Sequence, residues 1–235
     1  MTRLAVLIDA DNAQATLIKE LLDEVARYGT ATVKRAYGDW TTSNLKGWKA
    51  ELHQHAIQPM QQFRYTEGKN STDSALIIDA MDLLHSKNVD GFCIVSSDSD
   101  FTRLATRIRE AGLIVYGFGQ EQTPEPFRVA CNKFVFVEIL RKAAPAVEPS
   151  APTVSVPKLR PLLIKAVEAA TKEDGWAALG AVGSTLQKID SSFDERNYGF
   201  KKLGDLMRKQ SYFEIREQRV GNEGPMNLYV RLKQQ

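Results

Sequence analysis

Apolar positions in the first 140 residues alternate between two rhythms. Short strand-like runs occur at Leu4–Ile8, at Thr30–Tyr37 after Gly29, and at Ile57–Phe63 with Pro59 near its start. Further runs occur at Phe92–Val95, at Leu113–Tyr116 closed by Gly117, and at Lys133–Val137. Between them lie stripes at helical spacing: Leu17, Ile18, Leu21, Leu22 and Val25; Leu45, Trp48 and Leu52; Ala75–Ile78 with Met81 and Leu84; and Phe101–Ala111. Strand and helix taking turns predict an α/β domain, a mostly parallel sheet with helices on both faces.

The rhythm breaks in Ala143–Pro157, where four prolines recur among small residues. Each proline removes a backbone donor, so the stretch predicts an extended linker. Domains are expected at residues 1–142 and 157–235, joined by a linker at 143–156.

Beyond it, Leu159, Leu162, Leu163, Ala166, Val167 and Ala170 predict a helix with Pro161 in its first turn. Leu179, Val182, Leu186 and Ile189 predict a second, and Phe200, Leu203, Leu206 and Met207 a third. Tyr212–Ile215 and Leu228–Val230 flank the turn residues Gly221–Gly224. That pattern reads as a hairpin, and three helices with a hairpin make a winged-helix module.

No apolar run approaches the roughly 20 residues of a membrane span, and Leu4–Ile8 is too short for a signal peptide. The two cysteines, Cys93 and Cys131, are too few for a disulfide framework or a zinc site. A reducing, cytoplasmic setting is therefore expected. The net charge of +2 conceals an asymmetry. Residues 1–150 carry 17 Lys and Arg against 19 Asp and Glu, net −2, and residues 151–235 carry 14 against 10, net +4. The second part is the one that would attract a polyanion.

In an open parallel sheet, ligands bind outside the carboxyl ends of the strands. Asp9 ends the first strand, Asp98 and Asp100 follow Phe92–Val95, and Asp73 opens a helix near Ser71. Each has a plain structural use. Asp73 favours a helix N-terminus, Asp98 or Asp100 caps the helix at Phe101, and Asp9 and Asp11 suit a loop. Their convergence on one edge points instead to a cation site, and hard oxygen donors suit Mg²⁺ or Mn²⁺. Asp79 and Asp82 lie on the helix of Asp73 but at offsets of six and nine, off its face.

Asp9-Ala10-Asp11-Asn12, Lys69-Asn70-Ser71-Thr72-Asp73 and Ser96-Ser97-Asp98-Ser99-Asp100-Phe101 resemble the NYN domain, a branch of the PIN-like nucleases, across about residues 3–140. The resemblance implies a metal-dependent ribonuclease with Asp9, Asp73, Asp98 and Asp100 as catalytic metal ligands. It also implies substrate or positioning roles for Asn12, Ser96 and Ser97. Lys69, one helical turn before Asp73, is placed to touch the scissile phosphate or else merely to cap a loop. Ser97 stands where the family often has glycine.

Gly175–Gly180, Gly183–Leu186, Phe193-Asp194 and Tyr198-Gly199-Phe200-Lys201-Lys202-Leu203 resemble the OST-HTH, or LOTUS, domain over about residues 157–232. That family is linked to RNA binding and, in some members, to protein partners. Lys201, Lys202, Arg208 and Lys209, on or near the third helix, are the expected RNA contacts, or else an ordinary solvated face. Single-stranded RNA is the expected partner, with protein docking through the second module as a further one.

Two alternatives compete with a ribonuclease. Strand-Asp9-Ala10-Asp11 and Ser97-Asp98-Ser99-Asp100 also fit a haloacid-dehalogenase-like phosphatase, with Asp9 as nucleophile and Asp11 as acid. A non-catalytic RNA-binding adaptor would keep the fold without turnover. His53 and His55, at i and i+2, do not share a helix face and lack further zinc ligands. Trp48 is expected in the core, while Phe63, Arg64 and Tyr65 are placed nearer the acidic rim, where aromatic rings can stack on bases.

Overall fold

The computed structural model describes residues 1–63, 71–141, 159–219 and 226–233. The chain falls into two compact units, Met1–Ala146 and Val147–Gln235. The expected linker, residues 64–70 with Lys69, and the turn Gly221–Gly224 lie outside the described residues.

In the first unit the strands are β1 (Arg3–Asp9), β2 (Thr30–Gly38), β3 (Gln58–Gln61), β4 (Gly91–Val95), β5 (Ile114–Gly119) and β6 (Lys133–Phe136). They form one sheet in the order β3-β2-β1-β4-β5-β6, with every pairing parallel. The helices are α1 (Ile18–Val25), α2 (Trp48–Gln54), α3 (Ser71–Ser86), α4 (Thr102–Glu110), α5 (Glu125–Ala130) and α6 (Glu138–Arg141).

The central position of β1 follows from its composition. Leu4 to Ile8 are all fully buried, as a strand covered on both faces requires. Alternate side chains enter opposite cores. Leu4, Val6 and Ile8 pack with Ile18, Leu21, Val25 and Trp48, while Ala5 and Leu7 pack with Leu76, Ala80, Leu104 and Ile108. Along α3, Leu76, Ala80 and Leu84 recur every four residues and turn one stripe to the sheet. Strand order reverses direction between β1 and β4, so their carboxyl ends open the crevice where such sheets bind ligands.

The second unit contains α7 (Leu159–Ala170), β7 (Ala177–Ala178), α8 (Leu179–Ile189), α9 (Leu203–Arg208), β8 (Phe213–Arg219) and β9 (Met226–Leu232). The strands form an antiparallel sheet in the order β7-β9-β8. Leu163, Ala166, Val182, Leu186, Leu206, Met207 and Val230 share one core.

Four details differ from the sequence expectation. β5 runs through Gly117 to Gly119 instead of stopping at Gly117. A Cβ at Gly117 would lie 2.5 Å from Phe134 and 2.7 Å from Cys131 Sγ, so that glycine answers close packing inside the strand rather than a turn. Helices α5 and α6 have only six and four residues, too short for a periodic stripe to register. The two-residue strand β7 is likewise below the reach of pattern. Finally, α9 starts at Leu203, because Gly199 is left-handed (φ 82°) and Lys202 is extended, so Phe200 belongs to the preceding turn. No described helix is long and apolar enough to cross a membrane.

Candidate metal centre

Three segments bring the carboxylates together. β1 ends on Asp9, α3 carries Asp73 in its first turn, and the loop after β4 carries Asp98 and Asp100. One carboxylate oxygen from each of Asp73, Asp98 and Asp100 lies within 4.8 Å of the others. The capping use expected of Asp98 is present in the structure. Its side chain caps a short 3-10 turn by accepting from the Asp100 N–H at 2.9 Å, which fixes the carboxylate at the rim.

Asp9, 1% exposed, is not one of this trio, but its charge acts on Asp73. Its Oδ2 accepts from Asn12 Nδ2 at 2.7 Å and from Ser96 Oγ at 2.8 Å. Its Oδ1 is buried with no hydrogen-bond partner. An ionised carboxylate with a bare buried oxygen is costly unless a cation completes it. Burial accordingly raises the Asp9 pKa, while the bonds from Asn12 and Ser96 pull it down and neighbouring Asp11 pushes it up.

Asp73 is half-buried. Its pKa is raised to about 6 by burial first, then by the charges of Asp9, Asp98, Asp100 and Asp11. All four partners are acids, so the repulsion falls away once positive charge enters. Oxygen-only donors of this kind fit a hard divalent cation. Asp9, Asp73, Asp98 and Asp100 are the residues that would hold it.

The sequence reading left Asp11 out of the site. It lies close enough to raise Asp73, and its Oδ2 accepts from Thr72 Oγ1 at 3.3 Å. The signal available was its place in Asp9-Ala10-Asp11-Asn12, two residues beyond the strand end.

Asn12 and Ser96 orient Asp9, and Ser96 Oγ also accepts from the Asp98 N–H at 3.1 Å. One hydroxyl thus ties the first strand's carboxylate to the loop that bears the others. Ser97 Oγ accepts from the Gln120 N–H at 2.9 Å, fastening that loop to the end of β5. The backbone at Ser97 is not left-handed, so serine fits where the family often has glycine. Gly119 completes the fastening. A Cβ there would lie 2.6 Å from the Ser96 carbonyl oxygen.

The remaining candidates lie elsewhere. Trp48 is in the core and Phe63 is exposed, while Arg64, Tyr65 and Lys69 lie outside the described residues. His55 sits 3.3 Å from Glu51 and His53 is exposed; neither joins a metal-binding group among the described residues. Asp79 is not idle, since it accepts from Arg35 and Tyr37 on β2 and so ties α3 to the sheet.

In the second unit, Lys201 and Lys202 lie just before α9, Arg208 is its last residue, and Lys209 follows it. All four are exposed. Arg208 is held by Asp205 at 3.4 Å and Glu217 at 2.5 Å, so its charge is partly neutralised; the structure shows no such pair for the lysines among the described residues.

The NYN domain model matches residues 3–139, more than half of the chain. The chain belongs to the NYN family. The OST-HTH/LOTUS domain model matches residues 155–224, after it in the chain. The NYN protein thus joins a fold of the PIN-like nuclease superfamily to a module of an RNA-binding type. That match takes the place of the haloacid-dehalogenase alternative.

A crystal structure of a protein of unknown function from Vibrio parahaemolyticus is similar at 17% identity and a TM-score of 0.48, over 57% of this chain and 91% of that one. A solution structure of an uncharacterized protein from Nitrosomonas europaea shares 33% identity at a TM-score of 0.33, over 40% of this chain and 88% of that one. A solution structure from Chromobacterium violaceum shares 35% identity at a TM-score of 0.28, over 36% and 87% respectively. Comparison with curated proteins finds no match.

Proposed function

We propose that this NYN protein is a metal-dependent endoribonuclease that hydrolyses phosphodiester bonds of single-stranded RNA. The observation that carries this reading is the convergence of Asp73, Asp98 and Asp100 within 4.8 Å, backed by Asp9 with its unpartnered buried oxygen. Mg²⁺ or Mn²⁺ is the cation the donor set suits. When bound, such an ion supplies activated water and neutralises charge that builds on the phosphoryl oxygens.

The chain's own residues do the rest. Asn12 and Ser96 hold Asp9 in one orientation, and the Asp98 cap and the Ser97 bond keep the loop after β4 from drifting. Preorganised carboxylates need no rearrangement when the phosphate arrives. Lys201, Lys202, Arg208 and Lys209 then serve as phosphate contacts of the second module, the two leading lysines more than the ion-paired Arg208. The full set of carboxylates favours turnover over a silent adaptor. Both cysteines are free and buried, which supports a reducing, cytoplasmic setting.

The test is the chemistry of the ends. Water attacking phosphorus with departure of the 3′ oxygen leaves 5′-phosphate and 3′-hydroxyl products. A 2′-deoxy substitution at the cut position should then leave cleavage intact. A 2′,3′-cyclic phosphate would show attack by the RNA's own hydroxyl and would overturn this mechanism.

A further inference from the structure

The sheet of the second unit has two unlike faces. Phe213, Ile215 and Val230 turn into the core. The alternating residues pair across the strands on the other face: Glu214 with Arg231, Arg216 with Tyr229, and Gln218 with Asn227. Trp176, next to β7, lies under this outward face. The Arg216 guanidinium sits 4.5 Å from the Trp176 ring centre and 5.6 Å from that of Tyr229, and the Arg231 guanidinium sits 4.5 Å from Trp176.

The two arginines differ in charge balance. Arg231 is neutralised by Glu214 at 2.7 Å. Arg216 is exposed and has no carboxylate partner among the described residues. Trp176 is only 7% exposed, so it supports the guanidinium rather than receiving a ligand itself. What solvent meets is a guanidinium held over an indole, a half-buried tyrosine ring beside it, and the exposed amides of Gln218 and Asn227.

We propose that this outward face is a stacking platform for unpaired RNA bases, with Arg216 and Tyr229 as the contacts and Trp176 and Arg231 as their support. A guanidinium plane and an aromatic ring stack on any base, and the two neighbouring amides offer donors and acceptors to base edges. Charge complementarity favours RNA as occupant, since residues 151–235 are net +4 and, among the described residues, Arg216 is a cation of this face with no acidic partner. The platform lies on β8 and β9, apart from the lysines that flank α9. It rests on the second module's RNA-binding type and not on the nuclease reading.

The experiment uses the full chain in EDTA, so that cleavage plays no part. Binding of a labelled single-stranded oligoadenylate and of an RNA duplex is followed by fluorescence anisotropy, with thermal midpoints as the check on folding. Arg216→Lys keeps the charge and loses the plane, and Tyr229→Leu keeps bulk and loses the ring. Each should weaken single-strand binding about tenfold and leave duplex binding unchanged. Wild-type single-strand affinity in both variants would overturn the platform and leave the face to protein docking. Equal loss on single strands and duplex would also overturn it, since that is the behaviour of a phosphate contact.

Discussion

Ser96 Oγ donates to Asp9 Oδ2 at 2.8 Å, joining two residues 87 positions apart in the chain. The same oxygen accepts from the Asp98 N–H, so one hydroxyl links the end of β1 to the loop after β4. Adjacent parallel strands make this meeting possible, because Ile8 pairs with Val95 and the chain continues one residue past each. Support of this kind around a ligand carboxylate typically carries 10–100-fold in metal affinity or activity.

Ser96→Ala is therefore expected to lower the cleavage rate on the order of 10–100-fold while the chain stays folded. The bond from Ser96 is one of those pulling the Asp9 pKa down, so its loss raises that pKa further and lets protons compete better with the cation. Mn²⁺ titrations of wild type and variant near pH 7 check this. Equal Mn²⁺ affinity and equal rate would remove Ser96 from the site.

Asp73 sets a pH dependence. Its pKa is about 6 in the metal-free fold against 3.8 for the free side chain. Protonated Asp73 suits the metal-free fold, so the stability it lends is complete below about pH 4 and is lost as pH rises through about 6. A bound cation works in the other direction, because it needs the carboxylate charged. The rise in thermal midpoint on adding Mn²⁺ should thus be small near pH 5 and large near pH 7.5. Asp73→Asn should raise the metal-free midpoint at neutral pH and abolish most of the Mn²⁺ gain. A Mn²⁺ shift that ignores both pH and this substitution would place the cation elsewhere.

Asp79 anchors the helix that presents Asp73. It accepts from both Arg35 and Tyr37; burial first, and then the bond to Asp79, raises the Tyr37 phenol's pKa. Asp79→Ala strands a partly buried guanidinium and a buried hydroxyl and should lower stability by about 2–3 kcal/mol. Chemical denaturation measures it, with Asp82→Ala, an exposed residue on the same helix, as the near-neutral control.

The order of long elements was legible because each carries enough apolar positions to show a period. The stripe Leu17-Ile18-Leu21-Val25 and the run Leu4–Ile8 behave in the fold as their spacing implies. Convergence of Asp73, Asp98 and Asp100 followed from topology, since parallel strands deliver their carboxyl ends to one edge. The use of Ser97, by contrast, depends on the Gln120 N–H, 23 residues away, and no local pattern announces a single long-range bond. Gly117 misled for a related reason. Inside a strand it looks like a turn until Phe134 and Cys131 are seen against its α-carbon. The Arg216, Trp176 and Tyr229 stack was hidden by cross-strand pairing that only the register reveals.

The most direct measurement is cleavage of a labelled single-stranded RNA by the purified full chain, with Mn²⁺, with Mg²⁺ and with EDTA, beside Asp98→Asn. Asp98→Asn keeps a side-chain oxygen to cap the 3-10 turn but removes one charge from the trio. The wild type should cut internally with Mn²⁺ or Mg²⁺ and not with EDTA. The variant should lose at least about a hundredfold in rate, at a metal-free midpoint that stays level or rises as repulsion falls. Cleavage that persists in EDTA, or an Asp98→Asn chain as active as wild type, would contradict the account.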